Sequence, residues 1–578
     1  MVSSLGSTIC GLGNRQQTFN PVDDYFFLGL SFTLCALFVF RQLESAGTHN
    51  KNLVDNSFSF DGDNCWRLVF FAKQKEAMKK FLSKRNICFL LILTIFIGLL
   101  MRVAGIQENL FFSYEQGRDL LVVKKITEGD LTLLGPRTNI EGIFHGPLFY
   151  YFMVPFYLLF SGNPLGLMAP FIFFGLGCIY LAYLVGKNFF NQYVGLIAAL
   201  LYATSYEAIV YSRWLSNPPL ACFFSLLLFY SIHQVVTGDS KFLILVALAF
   251  AGIFHSEVAA AIFLLPAMVI IWLWFKPRIK DKKIKLVSFL ALLFALSSYW
   301  LFELRHQFLF TKSILRFLRN KENIYRPLIG ETLEIVFNRY VGEFQAMVFP
   351  ANIWIATFVF LGIFLVLFLE IKKLGFFARK AIGEKILFLW LVSAPPLGLF
   401  IWRGLHLEYY LVAVVPAMVI SAAFFIYWLI SQKNLKVIGL LLLAVFLVNN
   451  LYVWQKKLPK NEEVFYLAPQ PASLLGLEKK VIDYIYSEAG GEEFSWQAFA
   501  IPYEMEHAWE YLFWQYGKRK YNYLPAHTSN RPGYFYLILE PGGDQAYRLR
   551  WIENKIGQEK PIKKAEIDSI LVQTYRRK

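Results

Sequence analysis

Apolar stretches long enough to cross a bilayer recur along most of this chain, separated by short polar connections. They can be read at 87–106, 167–186, 192–211, 218–237, 241–256, 257–275, 285–303, 353–371, 386–402, 410–430 and 436–454. A hydrocarbon core asks for about 20 apolar residues per helix, and most of these runs come close to that. The pattern predicts about 11 core transmembrane helices. Beyond residue 454 the pattern changes: the strand-like patch Tyr534 to Leu539 (YFYLIL) and the helical stretch Leu475 to Ser487 predict a small α/β domain.

Lysine and arginine placement orients the helices. Lys73, Lys75, Lys79, Lys80, Lys84 and Arg85 precede the first run, which puts its N-terminal end in the cytoplasm. Alternation then makes cytoplasmic the connections at Lys187, Lys241, Lys276 to Lys285, Lys372 to Lys385, and Lys433 with Lys436. The short outer connections carry little more than Arg213 and Arg403. The run Pro147 to Phe160 (PLFYYFMVPFYLLF) has to be excluded from the count, or every later basic loop turns outward. At about 14 residues it is short for a span and reads as an interfacial or re-entrant helix in a long first outer loop, 107–166; a short span is the alternative. The loop 304–352 and the part after 454 then also face outward.

The division that follows is an N-terminal extension, 1–86, a membrane domain, 87–454, and an extracytoplasmic α/β domain, 455–578. Within the extension, Tyr25 to Phe40 is apolar but short. It reads as an appended span, with an uncleaved anchor or an over-long gene start as alternatives.

Composition agrees with the pattern. The chain has 578 residues, 56% hydrophobic and 18% aromatic, with only 17% charged, which is far too apolar for a soluble domain. A net charge of +16 suggests nucleic acid at first sight, but the cations sit in short clusters between apolar runs, where they set topology, and no nucleic-acid partner is expected. The six cysteines (Cys10, Cys35, Cys65, Cys88, Cys178 and Cys222) form no CxxC pair, and no zinc-ligand spacing occurs. The absence of an Asn-x-Ser/Thr sequon disfavours a eukaryotic secretory route.

Under this topology the polar residues collect at the outer rim. Tyr114-Glu115-Gln116-Gly117-Arg118-Asp119 follows the first span, and Arg137 and His145 lie further along the same loop. Glu207, Arg213 and Asn217 end the third core span, His255 and Glu257 mark the next outer turn, and Glu303, Arg305 and His306 follow the seventh span. Arg403, His406, Glu408 and Tyr409 form another outer turn. Span interiors read as nearly free of charge. A secondary transporter would instead place ionisable groups at mid-membrane on broken helices and repeat internally. Rim chemistry suits a lipid-linked substrate. Moving a sugar off a polyprenyl phosphate needs a carboxylate to take the acceptor's proton, cations to neutralise the departing phosphate, and an apolar groove for the prenyl tail.

With the segments SYEQGRD, LLGPRT, HGPLFYY, YSRWLSNP and FELRHQF on the page, the chain over about 87–455 resembles the GT-C glycosyltransferases. Within them it is similar to bacterial members of the protein O-mannosyltransferase and aminoarabinose-transferase-like group. The resemblance implies a GT-C-like, all-α polytopic membrane enzyme of the plasma membrane with an outward-facing site. It would be an inverting transferase moving a sugar from a polyprenyl-phosphate donor to a protein, lipid or envelope-glycan acceptor. It implies Glu115 as the base with Asp119 in support, and Arg118 and His145 on the donor phosphate. Arg137, Arg213, Asn217, His255, Glu257 and Arg305 would shape the substrate site, with no metal and no cofactor. Two positions depart from the family's pattern: Glu115 is followed by Gln116 rather than a second acid, and Ser216-Asn217 stand where relatives carry an acid.

Other readings remain open at this level. Glu115, Arg118 and Asp119 also fit an ion-pair set on an interfacial helix. Arg305 and His306 also fit headgroup anchors, as do Lys312, Arg316, Arg319, Lys321 and Arg326. Glu207 fits a hydrogen-bonded structural group, and His255 with Glu257 fits helix-end packing. The rival functions are a polyprenyl-lipid transporter or flippase, and a non-catalytic scaffold.

Overall fold

The computed structural model describes residues 84–138, 141–319, 328–374, 388, 391–392, 411–458, 472–501 and 505–577. The stretch Tyr25 to Phe40, the run 386–402 apart from three residues, and the turn Arg403 to Tyr409 lie outside the described residues. So do Cys10, Cys35 and Cys65.

The apolar runs become helices close to where the pattern places them. In chain order they are α1 (Lys84–Val103), α2 (Tyr114–Thr127), α3 (Leu148–Leu159) and α4 (Ala169–Phe189). Next come α5 (Gln192–Thr204), α6 (Tyr206–Tyr211), α7 (Pro218–Thr237), α8 (Leu243–Ser256), α9 (Val258–Phe275), α10 (Lys282–Ala295) and α11 (Ser297–Arg305). Then follow α12 (Leu309–Arg319), α13 (Ile329–Val348), α14 (Ile353–Leu374), α15 (Val415–Ser431) and α16 (Lys436–Lys457). Among the described residues, five helices are long and apolar enough to cross a membrane, and seven if two bent pairs are each one span. Large apolar side chains turned outward, such as Phe294 at 80% and Trp354 at 82% exposure, are what a lipid-facing surface presents. This is a multi-pass membrane protein. The run Pro147 to Phe160 yields only the twelve-residue α3, shorter than a span.

Three features depart from the uninterrupted pattern. The run 192–211 is broken at Ser205 into α5 and α6, because Ser205 leaves the helical region and its hydroxyl accepts from the Ala208 amide. The run 285–303 is bent by 56° between α10 and α11. The segment 304–352 contains two helices rather than a plain loop: α12, then α13, whose axis lies 106° from that of α14. An amphipathic face explains the ordering of α13, since Val336, Tyr340, Phe344 and Met347 recur at helical spacing and are buried.

A charge lies inside the bundle, an exception to interiors that read as nearly free of charge. Arg102 near the end of α1 is fully buried and donates to Ser212 Oγ (2.9 Å), Gly98 O (3.0 Å), Ala203 O (3.0 Å) and Tyr202 O (3.4 Å). The break after α5 frees carbonyls that a straight helix would have used, and the guanidinium occupies them. Asn450 of α16 clasps the same break, accepting from the Tyr206 amide (2.9 Å) and donating to Val348 O (2.9 Å).

The C-terminal part holds a five-stranded sheet in the order β2-β1-β3-β5-β4, with β1 (Phe494–Phe499), β2 (Ala526–His527), β3 (Gly533–Leu539), β4 (Lys563–Ile567) and β5 (Ile570–Arg577). β1 runs parallel to β2 and β3, while β5 is antiparallel to β3 and β4. Helices α17 (Leu475–Ala489), α18 (His507–Leu512) and α19 (Gln545–Ile556) accompany it. The patch YFYLIL becomes β3, and the helical pattern from Leu475 becomes α17.

This region does not hang as a separate bead. Leu120, Val123, Phe149 and Met153 of α2 and α3 form one buried cluster with Val481, Ile485, Trp509, Tyr511 and Tyr536. The backbone is stitched as well: Phe112 donates its amide to Ser473 O (3.0 Å), and Leu475 donates to Leu110 O (2.9 Å). Tyr511 donates its hydroxyl to Gly162 O.

Candidate active site

The acidic and basic cluster forms the first two turns of α2. Ser113 precedes the helix, and both its amide and its hydroxyl donate to Gln116 Oε1 (2.9 and 2.8 Å). Gln116 is fully buried and donates its Nε2 to Leu215 O (3.3 Å). A carboxylate at 116 would lack that donor. The two departures from the family's pattern, Gln116 and the turn at Ser216-Asn217, thus meet in space, and the amide docks the start of α2 onto that turn.

Glu115 and Asp119 share a face of α2, four residues apart. Asp119 is 1% exposed and accepts on Oδ1 from both Arg118 Nε (2.9 Å) and Tyr150 Oη (3.0 Å). Burial pushes the Asp119 carboxyl above the usual carboxylate range, against the pull of Arg118, Tyr150 and His507. Burial likewise raises Glu115, with Arg118 opposing and Asp119 adding to the rise; Tyr114 Oη donates to its Oε1 (3.1 Å). Burial works against the Arg118 charge, but the bonded Asp119 outweighs it and the guanidinium stays firmly protonated. Arg118 remains one-third exposed, so it can still meet a ligand.

His145 stands beside this group. Its backbone pairs with Pro136 and Gly135 (both 2.9 Å), which lays 135–138 against 143–145; Arg137 pairs with Phe144 there, its side chain exposed. Burial, and then the Arg118 charge, lowers the His145 pKa to about 4, so the ring is neutral at physiological pH. Its Nδ1 is buried with no hydrogen-bond partner among the described residues. Behind it, Gly146 presses on the His255 ring so closely that a Cβ there would fall 1.7 Å from Nδ1. His255 Nε2 lies 2.7 Å from Ala295 O, and Asn217 donates to Ser256 O (2.6 Å). Glu257 is buried at the start of α9.

The remaining sequence candidates divide plainly. Asp119, Arg118, Glu115 and His145 gather, with His255 behind them. Arg213 is a brace, donating to Ala104 O (2.8 Å) and to Asn109 Oδ1. Asn217 is a clasp between helix ends. Arg305 ends α11 exposed. Arg118 bonds to the adjacent Asp119 rather than across a helical turn, as an exposed ion-pair set would. Tyr150 was hidden from sequence reasoning inside an apolar run; its one signal was a phenol needing a partner in the first turn of α3. His507 carried no signal at all. A small hollow lined by Tyr340, Phe344, Phe360, Phe364, Leu367 and Met418 lies among α13, α14 and α15, elements that do not carry the cluster.

A membrane bundle followed by a polar helix at its rim, with a C-terminal sheet packed on that helix, is the GT-C fold. Among solved structures, ArnT from Cupriavidus metallidurans bound to undecaprenyl phosphate superposes with a TM-score of 0.52 at 10% identity, over 89% of this chain and 98% of that one. Its apo state gives 0.52 and 10%, over 84% and 97%. The profile of the family described as dolichyl-phosphate-mannose-protein mannosyltransferase matches residues 144–300. No curated protein matches the chain.

Proposed function

We propose that this protein is an inverting membrane glycosyltransferase that takes a sugar from a polyprenyl-phosphate donor at the outer face of the plasma membrane. The acceptor is a protein, a lipid or an envelope glycan. One observation carries the reading: on the helix that follows the first span, a buried Asp119 is bonded to a partly exposed Arg118 beside Glu115, with a neutral His145 alongside. The fold shared with ArnT, whose structure holds undecaprenyl phosphate, supports it.

The chemistry follows from these groups. The acceptor oxygen attacks the anomeric carbon from the side opposite the phosphate, forming the new C–O bond as the bond to the phosphate oxygen breaks. Glu115 takes the acceptor's proton; burial raises its pKa, which makes it a stronger base than a free carboxylate. Arg118 meets the charge growing on the departing polyprenyl phosphate, and His145 offers a neutral ring N–H to it. No divalent metal enters this scheme.

In membranes supplied with labelled polyprenyl-phosphate sugar, Glu115→Gln should abolish transfer while the protein stays folded. Unchanged turnover removes this mechanism. Movement of labelled lipid across the bilayer without transfer would favour a flippase instead.

A further inference from the structure

The segments LLGPRT and HGPLFYY each carry a Gly-Pro pair, and the fold stacks the two glycines on one another and on a histidine ring. A Cβ on Gly135 would fall 2.1 Å from Gly146 O, and one on Gly146 would fall 1.7 Å from His255 Nδ1 and 2.5 Å from its Cε1. Only hydrogen fits at either α-carbon. We propose that His255 is a positioning residue of the site: its ring, fixed by the bond to Ala295 O, is the wall that seats Gly146, and that seat places His145 and the start of α3, whose Tyr150 bonds Asp119. This rests on the reading of the cluster as a glycosyl-transfer site.

The ring is held from several sides. Its Nε2 lies 2.7 Å from the carbonyl oxygen of Ala295, the last residue of α10, at the bend before α11. A carbonyl can only accept, so the ring proton sits on Nε2 and leaves Nδ1 bare in the neutral imidazole. That Nδ1 is buried with no hydrogen-bond partner among the described residues, and Gly146 lies against it. A hydrogen on that edge would be driven into the glycine. Histidine meets both demands, with a donor on the far side and a hydrogen-free edge on the near one. Tyr299 of α11 stands 5.3 Å from the ring, centroid to centroid, and directs its hydroxyl at Phe144 O (3.5 Å) and Phe254 O (3.3 Å). Both strands of the contact are thus tied to α11. Gly146 itself stands between His145 and Pro147, where α3 begins, and Tyr150 in the first turn of that helix reaches Asp119 Oδ1 at 3.0 Å. A shift at Gly146 is passed to both groups.

The test compares full-length wild type with His255→Gln, His255→Phe and His255→Ala in nanodiscs. Glutamine keeps a donor for Ala295 O, phenylalanine keeps a ring without one, and alanine keeps neither. The first measurement needs no turnover: a pH titration of the His145 ring by nitrogen NMR of labelled histidine, the signal identified by its loss in His145→Gln. Burial, and then the Arg118 charge, holds that ring at about 4 in the wild type. In His255→Phe and His255→Ala its midpoint should rise by roughly one pH unit or more toward the ordinary histidine value, as water reaches the loosened segment. In His255→Gln it should stay low. The second measurement pairs the ring with the glycine: Gly146→Ala should move the His145 midpoint in the wild type and add little in His255→Ala, where the methyl takes the vacated space. The third is kcat with labelled undecaprenyl-phosphate sugar, which should fall on the order of a hundredfold in His255→Phe, the effect of a misplacement of about 1 Å, with glutamine recovering most of it. A wild type that shows no transfer overturns the proposed function, while the titration still decides the role of His255. If His255→Ala does not fold, the glutamine and phenylalanine proteins decide it. An unmoved His145 midpoint in folded His255→Phe, or phenylalanine serving as well as glutamine, overturns the assignment.

Discussion

Tyr150 donates its hydroxyl to Asp119 Oδ1 at 3.0 Å, the same oxygen that Arg118 reaches through Nε at 2.9 Å. The phenol comes from α3 and the guanidinium from α2, so one buried oxygen joins the two helices. Tyr150→Phe keeps the ring and removes the donor. A hydrogen bond to a charged group contributes roughly 1.5–3 kcal/mol, so thermal stability should fall by that order. Transfer should fall further, because Asp119 loses orientation as well as support. Calorimetry beside a transfer assay separates the two effects.

The raised Glu115 pKa has opposite signs for rate and for stability. The base must be ionised, so transfer should climb as pH rises through the folded-state pKa, which lies above the ordinary carboxylate value. Stability runs the other way. A carboxyl whose folded pKa is raised contributes most below its unfolded pKa, and that contribution is lost as pH rises through the folded value. Glu115→Gln should therefore lose activity yet unfold at a higher temperature than wild type in alkaline buffer, with the difference closing in acid. Thermal unfolding across a pH series checks it.

Gln116→Glu tests the docking of α2. The amide donates to Leu215 O and accepts from Ser113, and a carboxylate can only accept. Leaving the buried Leu215 carbonyl facing a charge should cost about 1–3 kcal/mol or more. Restoring a family-like second acid at this position should thus lower the yield of folded protein, measured by fluorescence-detected chromatography in detergent.

Gly117→Ala tests the seat of the C-terminal region. The added methyl would meet backbone atoms of His507 and Ala508 rather than a flexible tip. Overpacking of this kind costs about 1–3 kcal/mol. The C-terminal region should become more sensitive to limited proteolysis, while Gly330→Ala, whose Cβ would meet nothing within 4 Å, should leave that packing intact.

His527 makes the C-terminal region sensitive to pH from the other direction. Burial disfavours its charge, but bonds to Glu506 and Glu510 outweigh that and lift its pKa to about 9. Its stabilising contribution is complete below its unfolded pKa and is lost as pH rises through about 9. His527→Gln should flatten the pH dependence of unfolding between neutrality and that value, read by circular dichroism melts.

The sequence by itself determined the membrane helices, because a twenty-residue apolar run has few alternatives to a helix in lipid. It also marked α17 and β3 by their periods, and it put Glu115, Arg118, Asp119 and His145 on one short list, since charges at the end of a span are costly and therefore conspicuous. Tertiary structure alone decided the rest. The burial of Arg102 depends on carbonyls that the break at Ser205 leaves open, and α1 meets them only in the packed bundle. Tyr150 and Arg118 converge on Asp119 through the packing of α3 on α2, and the His507 backbone reaches Gly117 of that helix from nearly four hundred residues away. Hydrophobic period is local and survives in the chain as written; the partner of a buried polar atom is a long-range fact, settled when distant segments close one core around it.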